Sequence, residues 1–339
     1  MATEESVRAL EEVLEQLLDD YRDLQAPHVA VLSDPPSSVE ALRMIHRGPP
    51  VIIENFSPLT ARAEGYDWSR PETYEQISGN RSVTVAVTDD GLADSVRTLP
   101  DGTTTFVKPF EERMTIPSLI SRLGRRGESS SYAYYLQSQD GNIYRSEPHP
   151  SGSSELAMFQ PYIERDIPWM KEAIGSEAEA VNLWIGDCNS TTSLHHDPYE
   201  NIYHVLAGTK TFTLLSPIEG LWLNQQFHPS STLQRTSSSE SLVPVLDPPP
   251  TYPIPWVSAV NFPARVHPLR ITLKEGQSLF LPAGWWHRVE QKEGLSGIVV
   301  AVNYWYTAEL HPEAYAYERF ARRIARSAGR HGVVPVEGE

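Results

Sequence analysis

From Ala180 onward the chain is a succession of short β-type runs, and this succession limits the possible folds more than any other feature. The runs are Val181 to Ile185, Ile202 to Leu206, Lys210 to Leu215, Leu269 to Leu273, Ser278 to Leu281 and Gly297 to Tyr306. Gly, Pro and Asp clusters punctuate them, and Ala207-Gly208 reads as a hairpin turn. Many short strands separated by turn residues bury their apolar faces by closing on one another, as a sandwich or a barrel. The fold is therefore expected to be mainly β. The stretch from Pro217 to Pro268, rich in Ser and Pro, reads as an insertion between the two halves of that barrel.

The chain before Ala180 is mixed. Val7, Leu10, Val13, Leu14, Leu17, Leu18, Tyr21 and Leu24 recur at helical spacing among acidic residues, which predicts an amphipathic helix over residues 3–25 packed on the body. A second short helix is expected from Ser38 to His46, ended by Gly48-Pro49-Pro50 before an apolar strand at Val51 to Ile53. Arg81 to Val87 alternates as a half-buried strand and turns at Asp89-Asp90-Gly91. Phe106 to Phe110 reads as strand, Ile116 to Leu123 as helix and Tyr132 to Gln139 as strand, with a Pro/Gly/Ser loop at 148–155. A final helix from Glu313 to Ala328 carries Tyr317, Phe320 and Ile324 on one side and Arg319, Arg322, Arg323 and Arg326 on the other. It suits capping the barrel or pairing in a dimer, so both monomer and homodimer stay open. The expected division is 1–130 for helices and strands packed on the core, 131–310 for the β domain with its insertion at 218–268, and 311–339 for a C-terminal helix and tail.

Composition narrows the partners. Forty-four acidic against 28 basic residues give a formal charge of −16, which repels nucleic acid and favours a basic, Lys-rich protein segment. Acidity of this size also serves solubility alone. No run approaches the roughly 18 apolar residues of a membrane span, so no membrane role is expected. The acidic first residues do not resemble a secretory signal, and the single Cys188 excludes an intrachain disulfide or a Cys-rich zinc module. A reducing compartment, cytoplasm or also nucleus, is expected.

The chemistry is concentrated in Thr191-Thr-Ser-Leu-His-His-Asp-Pro-Tyr-Glu-Asn201. Positions i and i+2 of an extended strand share a face, so His195 and Asp197 can converge on one metal ion. A second histidine stands in Gly276-Gln-Ser-Leu-Phe-Leu-Pro282-Ala-Gly284-Trp-Trp-His287, where a Pro/Gly turn presents His287 just past a strand. Two histidines and a carboxylate leaving open positions are the ligand set of non-haem Fe(II) oxygenases. Affinity alone favours Zn over Fe, so a bound cosubstrate must argue for iron. Lys210 supplies that argument: a lysine beside Phe212 and Leu214 that points into a barrel needs an anion. The distal carboxylate of 2-oxoglutarate meets the need, with the Thr192 and Tyr135 hydroxyls sharing it. Taken singly, His287 suits a core histidine and Lys210 a turn lysine facing water; the spacings agree only on the site. Trp184, Trp285 and Trp286 are expected to wall the cavity, and His196 to point away toward a substrate channel.

The pattern Gly, five residues, Pro-x-Gly, two residues, His that ends at His287 resembles the second metal-binding motif of the cupin superfamily, and the motifs together resemble the Jumonji-C family of 2-oxoglutarate oxygenases. The resemblance implies a double-stranded β-helix (a jelly roll) flanked by helices. It also implies Fe(II) on His195, Asp197 and His287, and 2-oxoglutarate contacted by Tyr135, Thr192, Asn201, Lys210 and Asn303, with O2 as second cosubstrate. Val83 to Val96, Val181 to Ile185, Thr192 to Asn201 and Leu281 to Val289 are similar to the family's small stand-alone lysyl hydroxylases, which act on developmentally regulated GTP-binding proteins. That similarity implies C3-hydroxylation of a substrate lysine, with succinate and CO2 as co-products. The chain departs from the pattern at His196-Asp197-Pro198, where those enzymes carry Lys-Asp-His, and in its insertion after Pro217; the metal ligands are untouched. The alternatives are an Nε-methyl-lysine demethylase of histones on the same centre, a metal-dependent peptidase, and an inactive cupin-like binding protein. One cysteine cannot build a zinc reader module, and no Glu in the motif is placed as a hydrolytic base.

Overall fold

The computed structural model describes residues 4–124, 132–137, 142–145, 154–236, 241–249, 252–258, 262–309 and 311–330. The expected loop at 148–155, except its last two residues, and the tail beyond Arg330 lie outside the described residues.

The strands after Ala180 form two antiparallel sheets. One runs Ser278–Leu281, Tyr199–Ala207, Val299–Thr307, Ala180–Gly186; the other runs Leu269–Lys274, Thr209–Leu215, Trp286–Lys292, Thr191–His195. Successive strands change sheet at nearly every connection, which is the jelly-roll arrangement. The mainly β fold, a double-stranded β-helix with flanking helices, is the one the sequence predicts.

Alternation along each strand divides the core in two. Val181, Leu183, Ile185, Val300, Val302 and Tyr304 face outward into a large cluster shared with the N-terminal part. Trp184, Tyr203, Val205, Phe212, Leu214, Val289 and Ala301 face inward and fill the barrel. Because Ala180–Gly186 and Val299–Thr307 are covered on both faces, they read as continuous apolar runs.

Ala207-Gly208 is not a hairpin. The strand before it pairs with Ser278–Leu281 and Val299–Thr307, and the strand after it with Leu269–Lys274 and Trp286–Lys292. The dipeptide is a corner between sheets. Gly208 has φ +74°, and a Cβ there would stand 3.0 Å from the Lys292 carbonyl oxygen and 3.1 Å from that of Ile298. Local sequence marks a turn at such a place but carries no record of which sheet receives the next strand.

The N-terminal part extends both sheets. Val51–Ile53 joins the edge strand Ser278–Leu281, and Leu92–Ala93 runs parallel to the start of Thr191–His195. The insertion is tied down where it is described: Ser230–Arg235 pairs with Thr104–Lys108 and Leu242–Leu246, and Gln225–His228 with Ile254–Val257. The helix Ser38–Arg47 begins with a capping box of Ser37 and Glu40 and ends at Gly48 in the left-handed conformation.

Helices Glu4–Leu24 and Pro312–Ser327 pack on each other through Leu14, Ala321, Ala325 and Ile324, with Leu221 beneath. The apolar side read from sequence is only partly the packed one, since Tyr317 and Phe320 are 71% and 60% exposed. Small alanines allow close helix approach, and the bulky aromatics are left beside the contact. Among the described residues no helix is long and apolar enough to cross a membrane.

Candidate metal centre

His195 closes the strand Thr191–His195 directly opposite His287 on Trp286–Lys292. The register slips between Thr192 and His195, a bulge that re-aims the end of the strand. The two imidazole centroids are 4.2 Å apart. Asp197 lies beyond the strand end, so strand alternation does not by itself bring it round. Its carbonyl oxygen accepts the Gly284 amide at 2.9 Å, which ties it to the Pro282-Ala-Gly turn that precedes His287. The Asp197 Oδ2 is 3.8 Å from His195 Nε2 and 3.6 Å from His287 Nε2. These ligand atoms all lie within 4.8 Å of one another.

Both rings are oriented from behind. His195 Nδ1 lies 2.8 Å from the Ser193 carbonyl oxygen and His287 Nδ1 3.0 Å from that of Trp285. With the proton on Nδ1, the Nε2 lone pairs face the Asp197 carboxylate, the tautomer a metal requires. Burial pushes His287 down to about 4, so it stays neutral at physiological pH and needs no proton removed before ligation. The contacts to Asp197 are too long for hydrogen bonds. The donor set fits a divalent ion of the borderline kind that takes imidazole and carboxylate together.

The ligands open into a cavity of about 430 Å³ also lined by Tyr135, Trp184, Thr192, Asn201 and Asn303. Its wall is hydrogen-bonded along its length: Trp184 Nε1 donates to Asn303 Oδ1 at 2.8 Å, and Asn303 Nδ2 donates to Asn201 Oδ1 at 3.1 Å. Behind Tyr135 stands Lys210, only 1% exposed. Its Nζ donates to the Tyr135 hydroxyl at 3.0 Å and to Gln291 Oε1 at 2.5 Å. Both acceptors are neutral, and burial pushes the ammonium down to about 7. Tyr135 in turn bonds the side chains of Thr192 and Tyr203. A barrel interior that holds one lysine without a carboxylate partner among the described residues is prepared for an incoming anion.

Gly186 makes this pocket possible. A Cβ there would stand 2.6 Å from Tyr135 Cδ2 and 2.7 Å from Gln291 Nε2, both partners of Lys210. Gly186→Ala is expected to destabilise the fold by about 1–3 kcal/mol through overpacking. Urea unfolding measures that cost, and calorimetric titration should find weakened anion binding beside Lys210; unchanged values in both would remove Gly186 from the pocket.

Comparison with known proteins agrees with this geometry. Residues 36–311 match the family described as Cupin-like domain. The human bifunctional peptidase and (3S)-lysyl hydroxylase JMJD7 is 30% identical over 337 residues, covering 96% of this chain and 99% of its own. The chain belongs to the cupin-like JmjC family. JmjC domain-containing protein E of Dictyostelium discoideum is 29% identical, covering 92% of the chain and 96% of its own. The Arabidopsis thaliana lysine-specific demethylase JMJ32 is 29% identical, over 76% and 75% respectively. The JmjC family is in general one of Fe(II)- and 2-oxoglutarate-dependent oxygenases, and the chain is of that kind.

Seven of the residues singled out from the JmjC motifs line this one cavity, and Lys210 stands behind its Tyr135 wall. Two expected tryptophans do not line it. Trp285 packs inside the barrel and donates to the Gly48 carbonyl at 2.8 Å, and Trp286 sits in a separate cluster with Leu215 and Leu223. Their places are taken by Trp305 and Trp256. Trp256 comes from the insertion and stacks on His195 with centroids 5.8 Å apart. His196 also lines the cavity, its ring against the edge of Trp286 at 4.5 Å. Gln291 and Tyr203 went unmarked in the sequence, although the alternations His287-x-Val289-x-Gln291 and Asn201-x-Tyr203 place them inward. Trp256 and Asp94 gave no local signal.

Proposed function

We propose that the chain is an Fe(II)- and 2-oxoglutarate-dependent protein hydroxylase that places a hydroxyl on C3 of a lysine, in a GTP-binding protein of the cytoplasm or nucleus. The observation that carries it is the buried Lys210 ammonium, held by neutral partners at the back of a cavity that has His195, Asp197 and His287 in its wall. In this reading those three residues hold the iron. Lys210, Tyr135 and Thr192 receive the distal carboxylate of 2-oxoglutarate. When bound, iron and 2-oxoglutarate supply the oxidising power that activates O2; one oxygen atom enters the substrate C–H bond and the other goes to succinate, with release of CO2. The protein keeps the His287 imidazole neutral, orients both imidazoles through their Nδ1 contacts, and keeps water out of the aromatic-walled cavity. Asn201 and Asn303 fix the Trp184 indole beside the bound acid. The name of the human relative supports lysine C3 as the target.

The decisive experiment loads the protein anaerobically with Fe(II) and 2-oxoglutarate, then adds O2 and Lys-containing peptides of GTP-binding proteins. One oxygen gained per succinate formed is the expected result. Loss of a methyl group from methyl-lysine peptides, or chain cleavage, in place of that gain would overturn hydroxylation.

Lys210 also predicts the pH dependence of cosubstrate binding. Burial places the free ammonium's pKa at about 7, and a bound carboxylate favours the charged form and raises it. Binding therefore takes up a proton above pH 7, and affinity is expected to fall about tenfold per pH unit there until the pKa of the complex is reached. Below pH 7 the lysine is already charged and affinity is flat. Calorimetry in buffers of different ionisation enthalpy measures the uptake; none at pH 8.5 would place the carboxylate elsewhere.

A further inference from the structure

A second cavity, of about 750 Å³, opens between the N-terminal strands and the insertion and is lined by Thr84, Lys108, Glu111, Gln137 and Glu155 among others. One residue, Asp94, borders both this cavity and the one that holds the metal ligands. Asp94 is the described non-glycine residue with a left-handed backbone, at φ +55°, between the strands Leu92–Ala93 and Ser95–Thr98. Such a conformation costs free energy and persists where the surroundings impose it.

The carboxylate of Asp94 has little to do within the chain. Gln137 Nε2 donates to it at 3.4 Å, a long contact. Its main-chain oxygen, not its side chain, accepts the Ser193 hydroxyl that fixes this segment to the metal strand. It does not orient His195, whose Nδ1 is directed at Ser193 and whose Nε2 faces Asp197. The nearby cation, Lys108, is bound 2.9 Å from Asp247. Phe106 and Trp256, with ring centroids 4.8 Å apart, form an aromatic wall on the same cavity as Asp94. A half-buried carboxylate beside an aromatic wall is the complement of an ammonium on an aliphatic stem.

We infer that Asp94, at the border of the two cavities, is the seat for the ammonium of the substrate lysine. This rests on the hydroxylase reading above. With C3 presented to the metal ligands, the ammonium at the far end of the side chain needs a counter-charge inside the protein. Phe106 and Trp256 cover the methylene stem, and Asp94 discriminates lysine from neutral side chains of the same length.

The test compares two peptide pools, one with lysine and one with norleucine at a fixed central position. Binding to the Fe(II) and 2-oxoglutarate holoenzyme is measured anaerobically, for the natural protein and for Asp94→Asn. Asparagine keeps the shape and tolerates the left-handed backbone, so the variant removes charge alone. The natural protein is expected to prefer lysine on the order of 30-fold or more, and Asp94→Asn to bind both pools alike. Metal content and 2-oxoglutarate affinity of the variant should be unchanged; a fall in either would make Asp94 a support of the metal strand and overturn the inference. An undiminished lysine preference in Asp94→Asn, or none in the natural protein, overturns it as well. Lost preference in Asp94→Asn, with no oxygen entering the peptide once O2 is admitted to the natural protein, leaves Asp94 as the seat and sinks hydroxylation. Equal oxygen insertion by both proteins does the reverse.

Discussion

His195→Ala is expected to reduce succinate formation to the uncatalysed background while leaving the fold intact. The three ligand atoms come from two strands and from the segment just past the end of one of them, and one missing imidazole leaves a single histidine and a carboxylate, too few to hold a divalent ion at ordinary concentrations. The effect on stability is small by contrast. His195 is half-buried at a strand end, and its removal forfeits the stack on Trp256 and one hydrogen bond to Ser193, about 1 kcal/mol in all. Metal content by mass spectrometry, succinate formation and the thermal midpoint separate the two. The metal-free proteins, natural and variant, should melt within a few degrees of each other, and only the natural one should gain stability on adding Fe(II). A variant that kept full metal content and turnover would show that the ion sits elsewhere.

How much of this could be read from sequence follows from which contacts are local. His195-x-Asp197, the Pro282-x-Gly284 turn and the inward positions Lys210, Phe212 and Leu214 are short-range patterns, and strand alternation converts them into a common face. The helices Glu4–Leu24 and Ser38–Arg47 carry their own periodicity, and the second also its own caps. What local pattern does not carry is long-range pairing. The parallel pairing of Leu92–Ala93 with Thr191–Thr192 brings Asp94 to the metal strand, and the pairing of Ile254–Val257 with Gln225–His228 brings Trp256 over His195. Both join segments far apart in the chain, and neither short strand has a distinctive pattern. The same reason explains Ala207-Gly208, where the turn was legible and the change of sheet was not. Neighbours of a ligand in sequence are not its neighbours in space: Trp286, next to His287 on the strand, points to the opposite side, and Trp285, just before the strand, is held away from the cavity by its bond to the Gly48 carbonyl.

Lys210→Met should separate function from stability in opposite directions. For 2-oxoglutarate the loss is large: removing one partner of a buried charge pair leaves the distal carboxylate beside neutral Tyr135, Gln291 and Thr192, at a cost of about 2–5 kcal/mol, or roughly 30- to 5,000-fold in affinity. Without cosubstrate the same change should help. The natural protein holds a desolvated ammonium whose pKa burial lowers from its ordinary value to about 7, so the unfolded chain binds that proton more readily than the folded one. The penalty is complete at and below pH 7, shrinks as pH rises between the folded and unfolded values, and vanishes above the ordinary lysine range. Methionine fills a similar volume beside Phe212 and Tyr203 with no charge to desolvate, and replacements of this type stabilise by about 1–4 kcal/mol when the ion lacks a good partner. Urea unfolding of the metal-free proteins at pH 7 and pH 10 measures the sign. The variant should be the more stable at pH 7, with the difference narrowing at pH 10, and 2-oxoglutarate should raise the stability of the iron-loaded natural protein only. If Lys210→Met bound 2-oxoglutarate as tightly as the natural protein, Lys210 would be a structural lysine, and the case for this cosubstrate would lose its main support.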